Sequence, residues 1–202
     1  MRLSSLLLIL ACACATPSSS TAPSSAGTAA ADAGTAAADA GAAAATAADA
    51  GVPAAPATAA TAVLEPRSGS SVTGNVRITP SASGVVVLVE VQNAAPGEHG
   101  VHVHEKGDCS APDASSAGPH YNPKGAAHHG GVSTPVRHGG DLGNMQVDAN
   151  GKGLLVVAVA DLTVDSVVGR SVVVHEKKDD LQTDPAGNSG ARIACGTLEA
   201  AQ

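Results

Sequence analysis

The chain has 202 residues, a formal net charge of −7, a 44% hydrophobic share, one Tyr, and no Phe or Trp. Much of that hydrophobic share is Ala, which buries little surface; residues 15–62 alone hold 24 Ala in 48 positions. With a single Tyr and no Phe or Trp, base-stacking modes of RNA and single-strand binding are essentially excluded, and scattered basic residues under a negative net charge argue against any nucleic-acid footprint.

Met1 and Arg2 lead into the apolar run Leu3–Ala11. This is too short to span a bilayer and reads as a secretory signal peptide. Ile9-Leu10-Ala11-Cys12 resembles a bacterial lipobox, with Cys12 as the lipidated residue and Cys14 as a second candidate. The plainer alternative is a cleaved signal ending near Ala13 or Ala15. Residues 1–14 are therefore expected to be a signal peptide with lipobox. The protein is expected to be exported and held by a lipid anchor on a bacterial membrane, periplasmic or at the cell surface. Residues 15–62 repeat Ala-Asp-Ala-Gly from Ala31, Ala38 and Ala48, and Gly27, Gly34 and Gly41 interrupt any helix. They read as a disordered linker with a reach on the order of 40 Å, enough to hold a folded domain clear of a membrane surface.

Residues 63–202 are long enough for one domain with a core, which must be built from Val, Leu, Ile and Ala. Val72–Thr79, Val85–Val91, Gly100–Glu105, Leu154–Ala160 and Ser171–His175 read as strands. Ser81–Gly84 and Asp148–Gly151 read as hairpin turns. No stretch has sustained helical periodicity, so the fold class is an all-β sandwich or barrel. Glu105–Gly140 has almost no strand pattern, and a loop of that length is usually functional. Cys109 and Cys195 remain once Cys12 and Cys14 are assigned to the leader. In an exported domain such a pair is expected to be bonded, with a stabilisation of roughly 4–5 kcal/mol from loop closure.

All eight His lie between positions 99 and 175. His102 and His104 share one strand face by their spacing, whereas His99 is out of phase with them and is expected to be structural. Imidazoles in such numbers suit copper and zinc, and Asp141, just after His138, fits a zinc ligand set.

Five segments then follow in order: His102-Val103-His104-Glu105, Ser116–Pro123, His138–Asn144, Gly169–Asp180 and Gly190–Gly196. Together they resemble the signature segments of copper/zinc superoxide dismutases, over roughly residues 62–202. The resemblance implies an eight-stranded Greek-key β-barrel with long metal-binding and channel loops. It implies disproportionation of superoxide at a copper site bridged by a histidine to zinc, with one ion of each per subunit. Copper would be held by His102, His104, His120 and His175. Zinc would be held by His120, His129, His138 and Asp141. His129 is taken over His128 because it begins a His-Gly-Gly element. Asp179 matches a carboxylate that links ligands of both metals, Arg192 matches the arginine that pairs with the anion, and Cys109 and Cys195 match the family disulfide. His120 and Arg192 would be the catalytic pair. The implied partners are the superoxide anion and the membrane, with a homodimer left open; a non-catalytic copper/zinc-binding protein on the same fold is the alternative.

The sequence departs from the animal enzymes in three ways. Cys109 comes only five residues after His104, only 16 residues separate His175 from Arg192, and within that stretch Lys177 and Lys178 face Glu176, Asp179, Asp180 and Asp184.

Overall fold

The computed structural model describes residues 57–201. The expected signal peptide, Cys12 and most of the expected linker lie outside the described residues. Strands are β1 (Ala59–Pro66), β2 (Thr73–Ser81), β3 (Gly84–Gln92), β4 (Gly97–His104), β5 (Asp141–Val147), β6 (Gly153–Val159), β7 (Ser171–His175), β8 (Arg192–Thr197) and β9 (Glu199–Ala201). The hydrogen-bonded order is β2-β3-β6-β5-β4-β7-β8-β1, and β1 pairs again with β2, so eight strands close into a barrel. The short β9 adds to the start of β1. Chain order and spatial order differ at β3→β4 and β6→β7, the two crossing connections of a Greek key.

Alternation builds the core. Val85, Val87, Val89 and Val91 of β3 point inward and are buried, while Val86, Leu88 and Glu90 face out. Leu64, Ile78, Val101, Leu142, Met145 and Leu198 are among the other buried side chains of the same core. A four-residue helix, α1 (Val164–Val167), caps the β6–β7 connection. It starts from a reciprocal capping box between Thr163 and Ser166.

The expected turns at Ser81–Gly84 and Asp148–Gly151 join β2 to β3 and β5 to β6. Four strands were not anticipated, the short β9 among them. β1 begins at Ala59, inside the span read as linker, because Ala59, Ala60 and Ala62 are buried against neighbouring strands that need only small side chains. β5 was hidden by Gly143 and Asn144, and β8 by its mixed polar and small residues. The long Glu105–Gly140 segment contains no strand and only a 3-10 turn at Ser115–Ala117. Among the described residues no helix is long and apolar enough to cross a membrane.

Candidate metal centre

His102 and His104 lie on β4 and His175 ends β7, paired to one another through the ladder of Val101–His104 with Ser171–Val174. His120 comes from the long loop. It is held because its flanking backbone joins the sheet: His104 and His120 form an isolated bridge, Tyr121 N donates to Val103 O (2.8 Å) and Gly140 N donates to Tyr121 O (2.8 Å). Only glycine fits at 140, since a Cβ there would lie 2.2 Å from Val103 O. The disulfide Cys109–Cys195 forms and ties the same loop to β8.

One ligand atom from each of His102, His104, His120 and His175 lies within 4.8 Å of every other. A second such group is His102, His120, His129 and Asp141. His102 falls in both because its ring stands 3.9 Å from that of His120, centroid to centroid. His138 joins the second group more loosely: its Nδ1 is 3.6 Å from Asp141 Oδ1. His128 does not face Asp141. It is exposed and bonds Asp184 Oδ2 at 2.7 Å, while its neighbour His129 sits buried with Nδ1 3.0 Å from Asp141 Oδ1.

Most of the donor rings are oriented through their other nitrogen. His102 Nε2 donates to Asp179 Oδ2 (2.8 Å), His104 Nδ1 to Gly118 O (2.8 Å), and His120 Nδ1 to Asp141 Oδ1 (2.8 Å). Asp179, fully buried, also accepts from His129 Nε2 at 2.8 Å, so one carboxylate spans both groups. Such outer acceptors fix ring orientation and tautomer. What remains is six buried ring nitrogens without a hydrogen-bond partner: His102 Nδ1, His104 Nε2, His120 Nε2, His129 Nδ1, His138 Nδ1 and His175 Nε2. Buried polar atoms are ordinarily satisfied. Nitrogen donors converging in two adjacent sets, one of them with a carboxylate, fit copper and zinc.

Electrostatics separate the two sets. Burial holds His104 and His175 well below the usual imidazole range, with neighbouring rings and Arg192 adding to the effect. Burial also takes His120 to about 4 against the pull of Asp141. Burial opposes charge on His129 too, but its hydrogen bond to Asp179, its close contact with Asp141 and the charges of both carboxylates outweigh it and raise the ring to about 9. For Asp141 and Asp179 burial works against ionisation, yet the His120, His129 and His102 contacts hold both carboxyls far below the ordinary carboxylate value.

Arg192 begins β8, and its Nη1 donates to Ala114 O at 2.7 Å. It lines a cavity of about 660 Å³ with His120, His138 and His175. A groove of about 700 Å³ on the outer face of β1–β3 contains no donor residue. His99 is buried but stands apart from both donor groups, its ring nitrogens facing His175 O and Ala95 O at 2.8 Å.

Two contributors were not read from the sequence. Asn144 holds Asp179 by its backbone, accepting from Asp179 N and donating to Asp179 O, both at 2.8 Å. Gly187 gives the carboxylate room: a Cβ there would fall 1.8 Å from Asp179 Oδ1. Asn144 lay inside a quoted motif but carried no spacing signal of its own.

A closed eight-stranded barrel with two adjacent donor groups sharing the imidazoles of His102 and His120 defines a two-metal β-barrel protein. The chain belongs to the copper/zinc superoxide dismutase family, whose profile, described as Copper/zinc superoxide dismutase (SODC), matches residues 72–198. It is 37% identical over 150 residues to the Superoxide dismutase [Cu-Zn] of Caulobacter vibrioides, covering 70% of this chain and 86% of that one. It is also 41% identical over 148 residues to the Copper chaperone for superoxide dismutase of Rattus norvegicus, covering 69% of this chain and 52% of that protein. The chain thus spans about half the length of the chaperones it matches. In structure it is similar to the clock protein EA4, with a TM-score of 0.64 and 36% identity over 72% of this chain and 96% of that one. Copper and zinc are the cofactors of this family, and the donor sets here fit them.

Proposed function

We propose that the chain catalyses disproportionation of superoxide, in which two superoxide anions and two protons yield dioxygen and hydrogen peroxide. One observation carries the reading: six buried imidazole nitrogens lack a partner, and five of their rings form two donor groups that share His102 and His120. His102, His104, His120 and His175 would hold copper, and His120, His129, His138 and Asp141 would hold zinc. Copper, when bound, supplies the one-electron redox chemistry, and zinc, which does not change oxidation state, supplies charge and structure.

The chain's residues bind the anion and handle its proton. The domain holds 15 acidic and 10 basic residues over 63–202, a net of −5, so attraction of superoxide must be local. Arg192 supplies it: its guanidinium stays charged, presents several donors, and sits in the cavity beside His120 and His175. His120 Nε2 is the ring atom suited to take up a proton and return it to the departing peroxide, while its Nδ1, 2.8 Å from Asp141, faces the residues that would hold zinc.

Superoxide consumption by the purified, metal-loaded protein, with and without a copper chelator, tests the reading. Chelator-sensitive turnover is expected. Arg192→Ala should slow turnover and weaken inhibition by small anions while metal content stays intact; unchanged kinetics refute its role. Similarity to copper chaperones supports a second reading, a carrier of copper on the same barrel. A fully copper-loaded protein without turnover would favour that one.

Export with a lipid anchor, followed by a spacer ahead of β1, rests on the Leu3–Ala11 run and Cys12 alone. Cys12→Ser should release the protein from membranes, and continued membrane association refutes the anchor.

A further inference from the structure

The turn after β1, Arg67–Ser70, touches no metal donor, yet it is bonded to both segments that fix Arg192. Toward β8, Arg67 N donates to Ile193 O (2.9 Å), Ser70 Oγ to Ile193 O (2.5 Å), and Ser68 Oγ to the carbonyl of Arg192 itself (2.9 Å). Toward the long loop, Arg67 Nε donates to Cys109 O (2.7 Å) and Ser68 N to Pro112 O (2.7 Å). Two residues beyond Pro112, Ala114 O receives the guanidinium of Arg192 (2.7 Å). The root of the Arg192 side chain and the carbonyl that holds its head are therefore bolted to one turn. The rest of the Arg67 fork is occupied by Pro66 O and Glu65, and its side chain is only 16% exposed. Ser68 sits at φ 52°, a left-handed conformation that aims its N–H and hydroxyl at different segments.

We propose that Arg67 and Ser68 are positioning residues for Arg192: they fix the 109–114 segment against β8 and so set where the guanidinium meets a small anion. The proposal rests on the reading of Arg192 as the anion-binding group. A group that acts on a small ion depends steeply on placement, and a displacement on the order of 1 Å can cost about a hundredfold in rate. The disulfide joins the same two segments through Cys109 and Cys195, but it does not hold Pro112 or the Arg192 carbonyl; the turn does.

The test uses the metal-loaded full chain and azide as probe, with binding followed by visible absorption alongside superoxide turnover. Arg67→Ala should weaken azide binding by about threefold to tenfold, the scale of one lost hydrogen bond, with copper and zinc content unchanged. Ser68→Ala should shift binding in the same direction, and Arg67→Lys, which can still donate to Cys109 O, should recover part of the loss. In an Arg192→Ala background, Arg67→Ala should add nothing, because its effect passes through Arg192. Wild-type azide affinity in folded Arg67→Ala and Ser68→Ala overturns the proposal, as does a fully additive loss in the Arg192→Ala background. If Arg192→Ala weakens azide binding and the two turn variants do not, the proposal alone falls. If Arg192→Ala itself changes neither azide binding nor turnover, the anion reading falls and takes the proposal with it.

Discussion

His102, His104 and His175 are carried by strands β4 and β7, whereas His120, His129 and His138 are carried by the 105–140 loop. The strand-borne rings are placed by the backbone ladder, and burial keeps them uncharged, ready to donate. Of the loop-borne rings, His120 is also tied to β4 by its backbone, but all three lean on carboxylates: Asp141 accepts from His120 and from the backbone of Gly130 and His138, and Asp179 accepts from His129. One half of the site is thus a property of the barrel, and the other is a property of two buried carboxylates. Asp179 and the shared ring of His120 couple them.

The strongest way to break this division is to remove the shared ring. His120→Ala should abolish superoxide turnover and lower both copper and zinc content, as read by metal analysis of the purified variant. Normal content of both metals would mean that the two halves do not share this donor. Removing the loop's covalent tie is the next largest effect. The bonded cysteines are 86 residues apart, and loop-closure entropy assigns such a bond roughly 4–5 kcal/mol. A Cys109→Ser, Cys195→Ser variant should lose about that much in denaturant unfolding. Its added amide exchange should fall in the loop and spare the β4–β7 ladder. Asp179→Asn comes third. Leu181 N and His129 Nε2 both donate to Oδ1, so the amide oxygen settles there and the NH2 faces His102 Nε2. Copper affinity should fall by about tenfold to a hundredfold in a competition titration, with zinc affinity affected less because His129 retains its acceptor.

The same division explains what the sequence could disclose. β3 was legible because Val85, Val87, Val89 and Val91 alternate with outward residues. The pairing of His102 with His104 was legible because i and i+2 share a strand face. β1 was not, because its inward residues Ala59, Ala60 and Ala62 have the composition of the tract before them. The loop donors were named through the resemblance to the dismutase family and not through any periodicity, since a loop has none. Asn144 and Gly187 escaped because their roles exist only after β5 and the 176–191 segment meet around Asp179. A side chain that acts by tertiary approach leaves little trace in local pattern.

The smallest effect sharpens the contrast in charge and is read on the protein freed of metal. His104, His120 and His175 are depressed in the folded state, so below about pH 6.5 the unfolded chain binds protons that the folded chain refuses. Their contribution is present above that value and is lost as pH falls. His129 is the reverse: raised to about 9, its ion pairs with Asp141 and Asp179 contribute fully below about 6.5 and fade as pH rises through about 9. Stability should therefore peak near pH 6.5, with a steeper acid limb because several rings act there and one acts on the alkaline side. Thermal unfolding across pH 5 to 10 (about that range) measures it. His129→Gln should flatten the alkaline limb and leave the acid limb in place, whereas an alkaline limb that survives the substitution would assign that charge to another group.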